Sequence, residues 1–263
     1  MKESENPSLV TRHPLLLKGV DPKKDQSYVL HILRREELAR LVLPLGDMRK
    51  DKVREIARKL GLASVDRPES QEICFIEERK YFKLVERLSD AHEGPLIDIE
   101  SGKTLGSHKG IYRYTIGQRK RLGIAAGKPL YVVKIDPSKN AVYIGPKEKV
   151  MIKEFMVEDI NWLVGREAVL KRGGSEALKY GRTEENCFHS PGYGLPDFRT
   201  SDLVSFRATV KVRSTMRDEP ATVTVLDDKR ARVIYDEPQW APAPGQSAVF
   251  YVGDIVIGGG VIQ

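Results

Sequence analysis

The C-terminal end of the chain carries regular strand signals in three stretches separated by short turn sequences, and apolar and polar side chains alternate in the first two. The stretches are "LVSFRATVKVR" (203–213), "PATVTVLDDKRARVIYDEP" (220–238) and "QSAVFYVGDIVIGGGVIQ" (246–263). Because a strand points successive side chains to opposite faces, this alternation predicts strands with one buried face. We expect hairpin turns at "DDKR" and "VGD". Several short strands at this spacing predict a small antiparallel barrel or sandwich, which more often binds than catalyses.

The first third of the chain carries helical periodicity instead. "DKVREIARKLGL" (51–62) places Val53, Ile56 and Leu60 on one stripe and supplies Gly61 as a C-terminal stop. "ERKYFKLVERLS" (78–89) repeats the pattern. The sequence therefore predicts two amphipathic helices joined by a polar segment.

Short β-branched segments broken by Gly and Ser return after about residue 92. Among them, "PLYVVKIDPSKNAVYIGP" (129–146) predicts two strands joined by a Pro-Ser-Lys-Asn turn. We therefore expect an α+β protein with a helical part at 1–90, a small, mostly β central domain at 91–150 and a barrel at 151–263. A long Gly-rich, charged loop is expected to interrupt the barrel at about 171–199.

The chain of 263 residues is basic, with 44 Lys and Arg against 37 Asp and Glu, a net charge of +7 and a pI near 9.2. This surplus favours a polyanionic partner, because neutralising phosphates releases counterions. It also occurs in proteins that touch no nucleic acid. No apolar run approaches the length of a membrane span, and the N-terminus lacks a secretory signal, so a cytoplasmic protein without membrane contact is expected.

The chain has two cysteines, Cys74 and Cys187, which are far apart in sequence. They form no disulfide framework and no Cys-x-x-Cys pair, which fits a reducing compartment and gives a metal site no support. Cys74 lies between Ile73 and Phe75, and on local grounds it is either a packed thiol or a reactive sulfur. Cys187 and His189 have no third ligand nearby, so we interpret them as incidental loop residues.

Three polar clusters are candidate binding sites. In "HKGIYRYTIGQRKRLGI" (108–124), cations alternate with tyrosines, a composition that suits phosphates and unstacked bases but also a solvated strand and turn. "KVRSTMRD" (211–218) is a second basic segment. "KKDQSY" (23–28) either caps the helix that follows or presents hydrogen-bonding groups to a ligand. The candidate contact residues in the first two clusters are Tyr112, Arg113, Tyr114, Arg119, Lys120, Arg121, Lys211, Arg213 and Arg217.

Five blocks of the sequence, in this order, resemble the tRNA-specific 2-thiouridylases. They are "LLLKGVDPKKDQSYVLHIL", "PLGDMRKDKVREIARKLGLASVDRPESQEICFI", "GIYRYTIGQRKRLGI", "YVVKID" and "PGQSAVFYVGDIVIGGGVI". The resemblance runs from about residue 14 to the end, apart from 171–199. It implies an enzyme that exchanges oxygen for sulfur at the 2-position of the wobble uridine of tRNA. ATP adenylates the uridine oxygen, and a cysteine persulfide then delivers sulfur to the activated carbon.

The resemblance assigns roles to particular residues. Cys74, in "ESQEICFI", matches the persulfide cysteine, and Arg79 and Lys80 are candidates to lower its pKa. Contacts to tRNA are implied at Lys24, Asp25, Gln26, Arg213, Ser214 and Gln246. Ser214 departs from the family, in which an aromatic residue is familiar at this position. Binding of tRNA by Arg113, Arg119 and Lys120 is inferred from the basic cluster and not from the resemblance.

The family's N-terminal domain binds ATP through a Ser-Gly-Gly-x-Asp-Ser loop, which does not occur in this sequence. We therefore expect the chain to match the family's C-terminal two thirds, with the C-terminal part of the catalytic domain and its persulfide-cysteine loop at 1–90, the central domain at 91–150 and the barrel at 151–263. The ATP site, and the second cysteine that resolves the persulfide through a transient disulfide, then lie outside it, and Cys187 matches nothing at that position. The chain alone is expected to be inactive, with tRNA and a sulfur-donor protein as partners. The alternatives are a non-catalytic tRNA-binding remnant and a sulfur carrier.

Overall fold

The structure, a computed structural model, describes the chain in six stretches. These are residues 14–63, 65, 85–86, 92–124, 127–164 and 204–263. The chain divides into two compact units, which are described in turn. Unit 1 comprises Met1–Gly61, Glu154–Glu237 and Pro244–Gln263, and unit 2 comprises Leu62–Lys153 and Pro238–Ala243.

Three α-helices and ten strands are described. The helices are α1 (Ser27–Leu30), α2 (Arg35–Leu38) and α3 (Lys50–Lys59). The strands are β1 (Gly94–Asp98), β2 (Thr104–His108), β3 (Tyr131–Asp136), β4 (Ala141–Gly145), β5 (Met151–Trp162), β6 (Val204–Lys211), β7 (Glu219–Val225), β8 (Ala231–Trp240), β9 (Ser247–Val252) and β10 (Ile255–Ile262).

Unit 1 is built on a closed barrel with the strand order β10-β5-β8-β7-β6-β9. The predicted alternation appears in β7, where Ala221, Val223 and Val225 are buried and the intervening threonines are half-buried. Closure leaves no unpaired strand edge, so all the strands gain partners on both sides. The prediction of a C-terminal antiparallel barrel is confirmed.

Both predicted hairpin turns are present. The carboxylate of Asp227 accepts hydrogen bonds from the backbone N–H groups of Lys229 and Arg230, at 2.9 and 2.8 Å, and so closes the turn from β7 to β8. Gly253 has a φ of +59° in the turn from β9 to β10, a conformation that glycine adopts without strain.

The N-terminal segment of unit 1 packs against β9 and β10. Leu16 and Leu38 are buried in one cluster with Val249, Tyr251 and Val256. Backbone hydrogen bonds join Lys18 N–H to Asp254 O at 2.8 Å and Val256 N–H to Leu16 O at 2.9 Å. The predicted helix at 51–62 is confirmed as α3. Of the second predicted helix, only residues 85 and 86 are described, and both are helical.

Unit 2 contains a four-stranded sheet with the order β2-β1-β4-β3. Strands β1 and β4 run parallel, and the other two neighbouring pairs are antiparallel. Leu96, Val132, Val142 and Ile144 form its buried core. The predicted hairpin is present as β3 and β4, joined by residues 137–140.

The α+β fold class is confirmed by the short helices, the mixed sheet and the barrel. The division into domains at 1–90, 91–150 and 151–263 stays a prediction, and the loop at about 171–199 lies outside the described residues. Within the described part of the chain, no helix has the length and apolar character needed to cross a membrane.

Candidate nucleic-acid interface

Tyr28 in α1 connects three distant parts of unit 1. Its hydroxyl lies 3.1 Å from the carbonyl oxygen of Val212, just after β6, and 2.9 Å from that of Ser247, the first residue of β9. Burial raises the pKa of Tyr28, against the opposing effects of the Arg213 charge and the hydrogen bond to Ser247. The hydroxyl therefore keeps its proton at neutral pH and remains a donor to these carbonyls.

Two residues predicted to contact tRNA flank the carbonyls that Tyr28 holds. Arg213 follows Val212 and Gln246 precedes Ser247, and the Nε of Arg213 donates to the Oε1 of Gln246 at 3.4 Å. The structure thus brings Arg213 and Gln246 together across more than thirty residues of sequence. Ser214 is exposed next to them.

Asp25 caps the start of α1. Its Oδ1 accepts from the backbone N–H groups of Gly19 and Ser27 at 2.9 and 3.0 Å, and its Oδ2 accepts from the Ser27 hydroxyl at 2.8 Å. Gln26 is the N-cap residue but makes no capping bond with its side chain. The helix-capping interpretation therefore applies to Asp25, whereas Lys24 and Gln26 are exposed.

Cations accumulate around this junction. The Nζ of the buried Lys211 lies 6.0 Å from the centre of the Tyr28 ring. Lys18 lies nearby over the Tyr251 ring but is neutralised by Asp218, at 2.7 Å. Burial acts to raise the pKa of Asp218, but hydrogen bonds from Lys18 and Thr209 lower it overall, so this carboxylate is ionised.

We call this surface the α1–barrel site. Its members are Lys24, Asp25, Gln26, Lys211, Arg213, Ser214 and Gln246. Cations together with side-chain amides suit a ligand that presents phosphates alongside sugar or base edges. Tyr28 is part of the candidate cluster "KKDQSY" but was assigned no role from the sequence; an aromatic residue at the end of a polar cluster was the available signal.

The basic cluster of unit 2 is organised differently. Arg113 forms an ion pair with Glu86, and its Nε donates to the Tyr112 hydroxyl at 3.1 Å. Tyr114 packs edge-on against buried His108, with ring centres 5.7 Å apart, and belongs to the core of the sheet. Arg113 is therefore engaged within the protein, and Tyr114 serves packing.

Arg119 and Lys120 are exposed on a turn that Gln118 holds in place. The Gln118 side chain accepts from the backbone N–H of Thr115 at 3.1 Å and donates to the carbonyl of Lys120 at 3.0 Å. The turn is also tied to β3, because the N–H of Val132 donates to the Gln118 carbonyl at 2.9 Å. These cations are presented to solvent from a defined backbone.

Three family models match successive parts of the chain. "tRNA methyl transferase HUP domain" matches residues 7–78, "tRNA methyl transferase PRC-barrel domain" matches 83–146, and "Aminomethyltransferase beta-barrel domain" matches 199–262. Together they account for most of the sequence.

Curated relatives match almost the whole chain. The tRNA-specific 2-thiouridylase MnmA of Acetivibrio thermocellus is 38% identical over 250 residues, which is 95% of this chain and 60% of the relative. The MnmA of Clostridioides difficile is 38% identical over 251 residues, 95% of this chain and 60% of the relative. That of Geobacter metallireducens is 39% identical over 250 residues, 94% of this chain and 58% of the relative.

The chain is similar to the tRNA-specific 2-thiouridylases over almost its whole length. It spans about 60% of the length of the curated relatives that it matches. The resemblance on which the sequence-based expectations rest is thereby confirmed, and strands β6 to β10 of the barrel lie within the part that matches the third model.

Several predicted 2-thiouridylase residues lie outside the described residues. These are Cys74, its neighbours Arg79 and Lys80, and the loop residues Cys187 and His189. Their roles, and the binding of tRNA at each of the residues named above, stay predictions. Among the residues that the structure describes, no three His, Cys, Asp or Glu side chains are placed to hold a metal ion.

Proposed function

We propose that the chain is the tRNA-binding and sulfur-delivering part of a cytoplasmic tRNA-uridine 2-sulfurtransferase. The observation that carries the proposal is the α1–barrel site. There, Tyr28 joins the segments that contain Lys24, Arg213 and Gln246, residues distant in sequence for which the family resemblance implies tRNA contacts. Three such segments at one surface are expected if all of them touch a single ligand.

In this proposal, the α1–barrel site binds the tRNA backbone. Arg213 and Lys24 contact phosphates, and Lys211 adds positive charge from beneath the surface. The side-chain amides of Gln26 and Gln246 both donate and accept, so they suit 2′-hydroxyl groups and base edges of RNA. Asp25 acts indirectly, because its carboxylate is engaged in holding the loop that precedes α1. Ser214 offers a hydroxyl but no ring for stacking.

Sulfur delivery is assigned to Cys74. A donor protein converts its thiolate into a persulfide, and Arg79 and Lys80 favour the thiolate form. The outer sulfur attacks C2 of the uridine, whose oxygen ATP has adenylated, and AMP leaves with that oxygen. A second thiol outside this chain then attacks the inner sulfur, forms a disulfide with Cys74 and releases 2-thiouridine.

We assign ATP binding to a further part of the catalytic domain, in this polypeptide or in another. The distribution of exposed apolar side chains supports this assignment. Within the described residues, all the large apolar side chains that are exposed lie between 29 and 62, except Leu105 and Leu226. Val42 is 80% exposed and Ile32 is 64% exposed. A concentration of exposed apolar side chains in one part of the chain suits a contact with another protein surface.

Arg35 supports the same assignment. Burial lowers the pKa of its guanidinium, yet its Nε and one terminal nitrogen have no hydrogen-bond partner among the described residues. Buried polar groups are normally paired, so an acceptor supplied by the rest of the catalytic domain would complete this position.

Reconstitution tests the proposed function. The chain is mixed with the part of the Acetivibrio thermocellus relative that it does not cover, together with ATP, cysteine, a cysteine desulfurase and unmodified tRNA. We expect 2-thiouridine in digested tRNA, detected by mass spectrometry, and its loss with Cys74→Ser. Cys187→Ser is the matched control and should retain the yield.

Two outcomes would contradict parts of this proposal. If Cys74→Ser is as active as the unchanged chain, Cys74 does not carry the sulfur. If the chain binds tRNA but no combination yields 2-thiouridine, and no persulfide mass appears on Cys74 after desulfurase treatment, the alternative of a tRNA-binding remnant is favoured. A persulfide on Cys74 without thiolated tRNA would favour a sulfur carrier.

A further inference from the structure

Unit 2 contains a cavity of about 500 Å³ lined by residues between 119 and 130. Its polar side chains are the cations Arg119, Arg121 and Lys128. Its apolar wall includes Leu122, Pro129 and Leu130. We call it the 119–130 cavity. Its volume falls within the range of about 300–1,000 Å³ typical of small-molecule sites.

The charge of the 119–130 cavity favours an anion. No carboxylate is among its lining residues, and neither Arg119 nor Arg121 has a carboxylate partner within the described part of the chain. In contrast, Arg113 in the same unit is paired with Glu86. The positive charge of Lys128 is partly balanced by the Asp98 carboxylate. The pKa of Asp98 is lowered mainly by a hydrogen bond from the Glu100 N–H and to a smaller extent by the Lys128 charge. Two guanidinium groups at one cavity, neither with a carboxylate partner among the described residues, suit a phosphate.

The apolar wall favours a ligand that is larger than phosphate alone. Leu122 and Leu130 are 8% and 7% exposed and belong to the core of the sheet, so their surfaces form a fixed floor. A planar ring with an attached phosphate would cover this floor while its charge meets the arginines. A nucleotide has that combination of groups.

The backbone of this segment is held in an uncommon conformation. Arg121, which is not a glycine, has a φ of +65°, and Gly123 follows with a φ of +71°. Left-handed conformations are costly for residues with a Cβ atom and persist where surrounding structure enforces them. Here the Gln118 side chain, bonded to Thr115 and Lys120, fixes the preceding turn. This uncommon conformation lies at a residue that lines the cavity.

We propose that the 119–130 cavity binds a single unpaired nucleotide of the RNA substrate, with its phosphate against Arg119 and Arg121 and its base against Leu122 and Leu130. The proposal rests on the proposed function, because it makes unit 2 a second contact for the same tRNA. Apart from the cations, none of the described residues that line the cavity has a hydrogen-bonding side chain, so binding should tolerate different bases.

Binding of uridine 5′-monophosphate to the whole chain tests the proposal, with uridine and inorganic phosphate as the other probes. Amide and methyl NMR shifts report the site. We expect uridine 5′-monophosphate to bind more tightly than either probe and to shift signals of Leu122 and Leu130. Arg121→Gly removes the guanidinium but accepts the left-handed backbone, and it should weaken nucleotide binding about tenfold, as loss of one charged contact does. Arg119→Ala, which leaves that backbone unchanged, should act similarly.

Lys139→Ala is the matched control, because Lys139 is an exposed cation of unit 2 outside the cavity. It should change nucleotide affinity less than twofold. Equal affinity of Arg121→Gly and the unchanged chain would overturn the proposal, as would the absence of shifts at Leu122 and Leu130. Inorganic phosphate that binds as tightly as the nucleotide would reduce the cavity to a simple anion site and overturn it too.

The two proposals fail in different ways. A chain that binds the nucleotide at the cavity but yields no 2-thiouridine in reconstitution contradicts the proposed function only. A chain that supports thiolation but does not bind the nucleotide contradicts the cavity proposal only. Measuring tRNA affinity connects the two proposals. If the 119–130 cavity contacts tRNA, Arg121→Gly should weaken tRNA binding several-fold.

Discussion

The hydroxyl of Tyr28 shows how one side chain assembles a surface. It reaches the carbonyls of Val212 and Ser247, which belong to different strand ends, and so fixes α1 against both. Asp25 fixes the loop before α1 by three hydrogen bonds to Gly19 and Ser27. The polar groups of the α1–barrel site are thus positioned by neighbours that do not need to touch the ligand, a form of preorganisation.

Arg213→Ala should weaken tRNA binding by about three- to tenfold, because one phosphate contact is lost. The slope of log affinity against log salt should also become shallower by about 0.7 to 0.9, as expected for one fewer released counterion. Fluorescence anisotropy with labelled tRNA, between about 50 and 200 mM salt, measures both. Arg232→Ala is the control, since Arg232 is an exposed barrel arginine already paired with Glu154 at 2.6 Å. Equal effects of the two substitutions would argue against a specific role for Arg213.

The buried His31 should make stability depend on pH. Desolvation lowers its pKa, although the hydrogen bond between Nδ1 and the Tyr28 carbonyl, at 2.7 Å, acts in the opposite direction. At a pH between the folded pKa of His31 and its unfolded pKa of about 6.5, the unfolded chain therefore binds a proton that the folded chain does not. The stabilising contribution is complete above that value and is lost as pH falls through the folded pKa.

Urea unfolding at pH 7, 6 and 5 measures this effect. The free energy of unfolding should fall toward pH 5, by about 1.4 kcal/mol for each unit of difference between the unfolded and folded pKa. His31→Gln should be less stable at pH 7 but should show a flatter dependence on pH. His92→Gln, at an exposed position, should keep the slope of the unchanged chain. If the unchanged chain and His31→Gln have the same slope, His31 is not the titrating group.

At the scale of elements, the glycine run in β10 sets how closely this strand approaches β5. A Cβ atom on Gly260 would lie 2.3 Å from the carbonyl oxygen of Glu158 and 2.9 Å from Val157. The register between β10 and β5 shifts between Gly259 and Val261, so the two strands meet at an irregular and tight point. Glycine is required there by space, since no positive φ is involved.

Gly260→Ala should therefore destabilise the chain by about 1–3 kcal/mol, through overpacking against backbone that cannot move freely. Urea midpoints, with an unchanged m value, report the loss. Gly19→Ala is the matched control in the same unit, because a Cβ there would meet Asp25 at 3.6 Å, an ordinary contact. Comparable losses from the two substitutions would show that close approach at Gly260 is not the cause.

The elements differ in how far sequence predicts them. Alternation in β7 and turn residues such as Asp227 are local signals, and both led to correct strands and hairpins. The parallel pairing of β1 with β4 depends on contacts between Leu96 and Val142, which no local pattern encodes. The strand at β10 was also predicted, but no local pattern shows that its glycines allow close approach to β5 and do not mark a turn.

At the scale of the whole molecule, long-range pairing decides which predicted site residues act together. Arg213 and Gln246 meet because β6 and β9 are neighbours in the closed barrel, an order that alternation alone does not specify. Binding of tRNA by Arg113 was predicted from a cluster of basic residues, but such a cluster does not reveal that Arg113 forms an ion pair with Glu86. The predicted persulfide role of Cys74 depends on the family resemblance alone, because Cys74 lies outside the described residues.

The exposed apolar surface between 29 and 62 leads to a prediction about assembly. Val42 is 80% exposed, so Val42→Lys should change the free energy of unfolding by less than about 0.5 kcal/mol. If this surface packs against the ATP-binding part of the catalytic domain, the same substitution buries an unpaired charge in the contact. Binding of the added Acetivibrio thermocellus segment, followed by sedimentation velocity, should then weaken at least tenfold, and the yield of 2-thiouridine should fall with it.

A second substitution separates this effect from a general effect of added charge. Leu226→Lys introduces a lysine at an exposed apolar position of unit 1, in the turn from β7 to β8 and outside the 29–62 surface. It should leave both binding and thiolation close to those of the unchanged chain. If Val42→Lys binds the added segment as tightly as Leu226→Lys does, Val42 is not part of the contact. The exposed apolar side chains would then need another explanation.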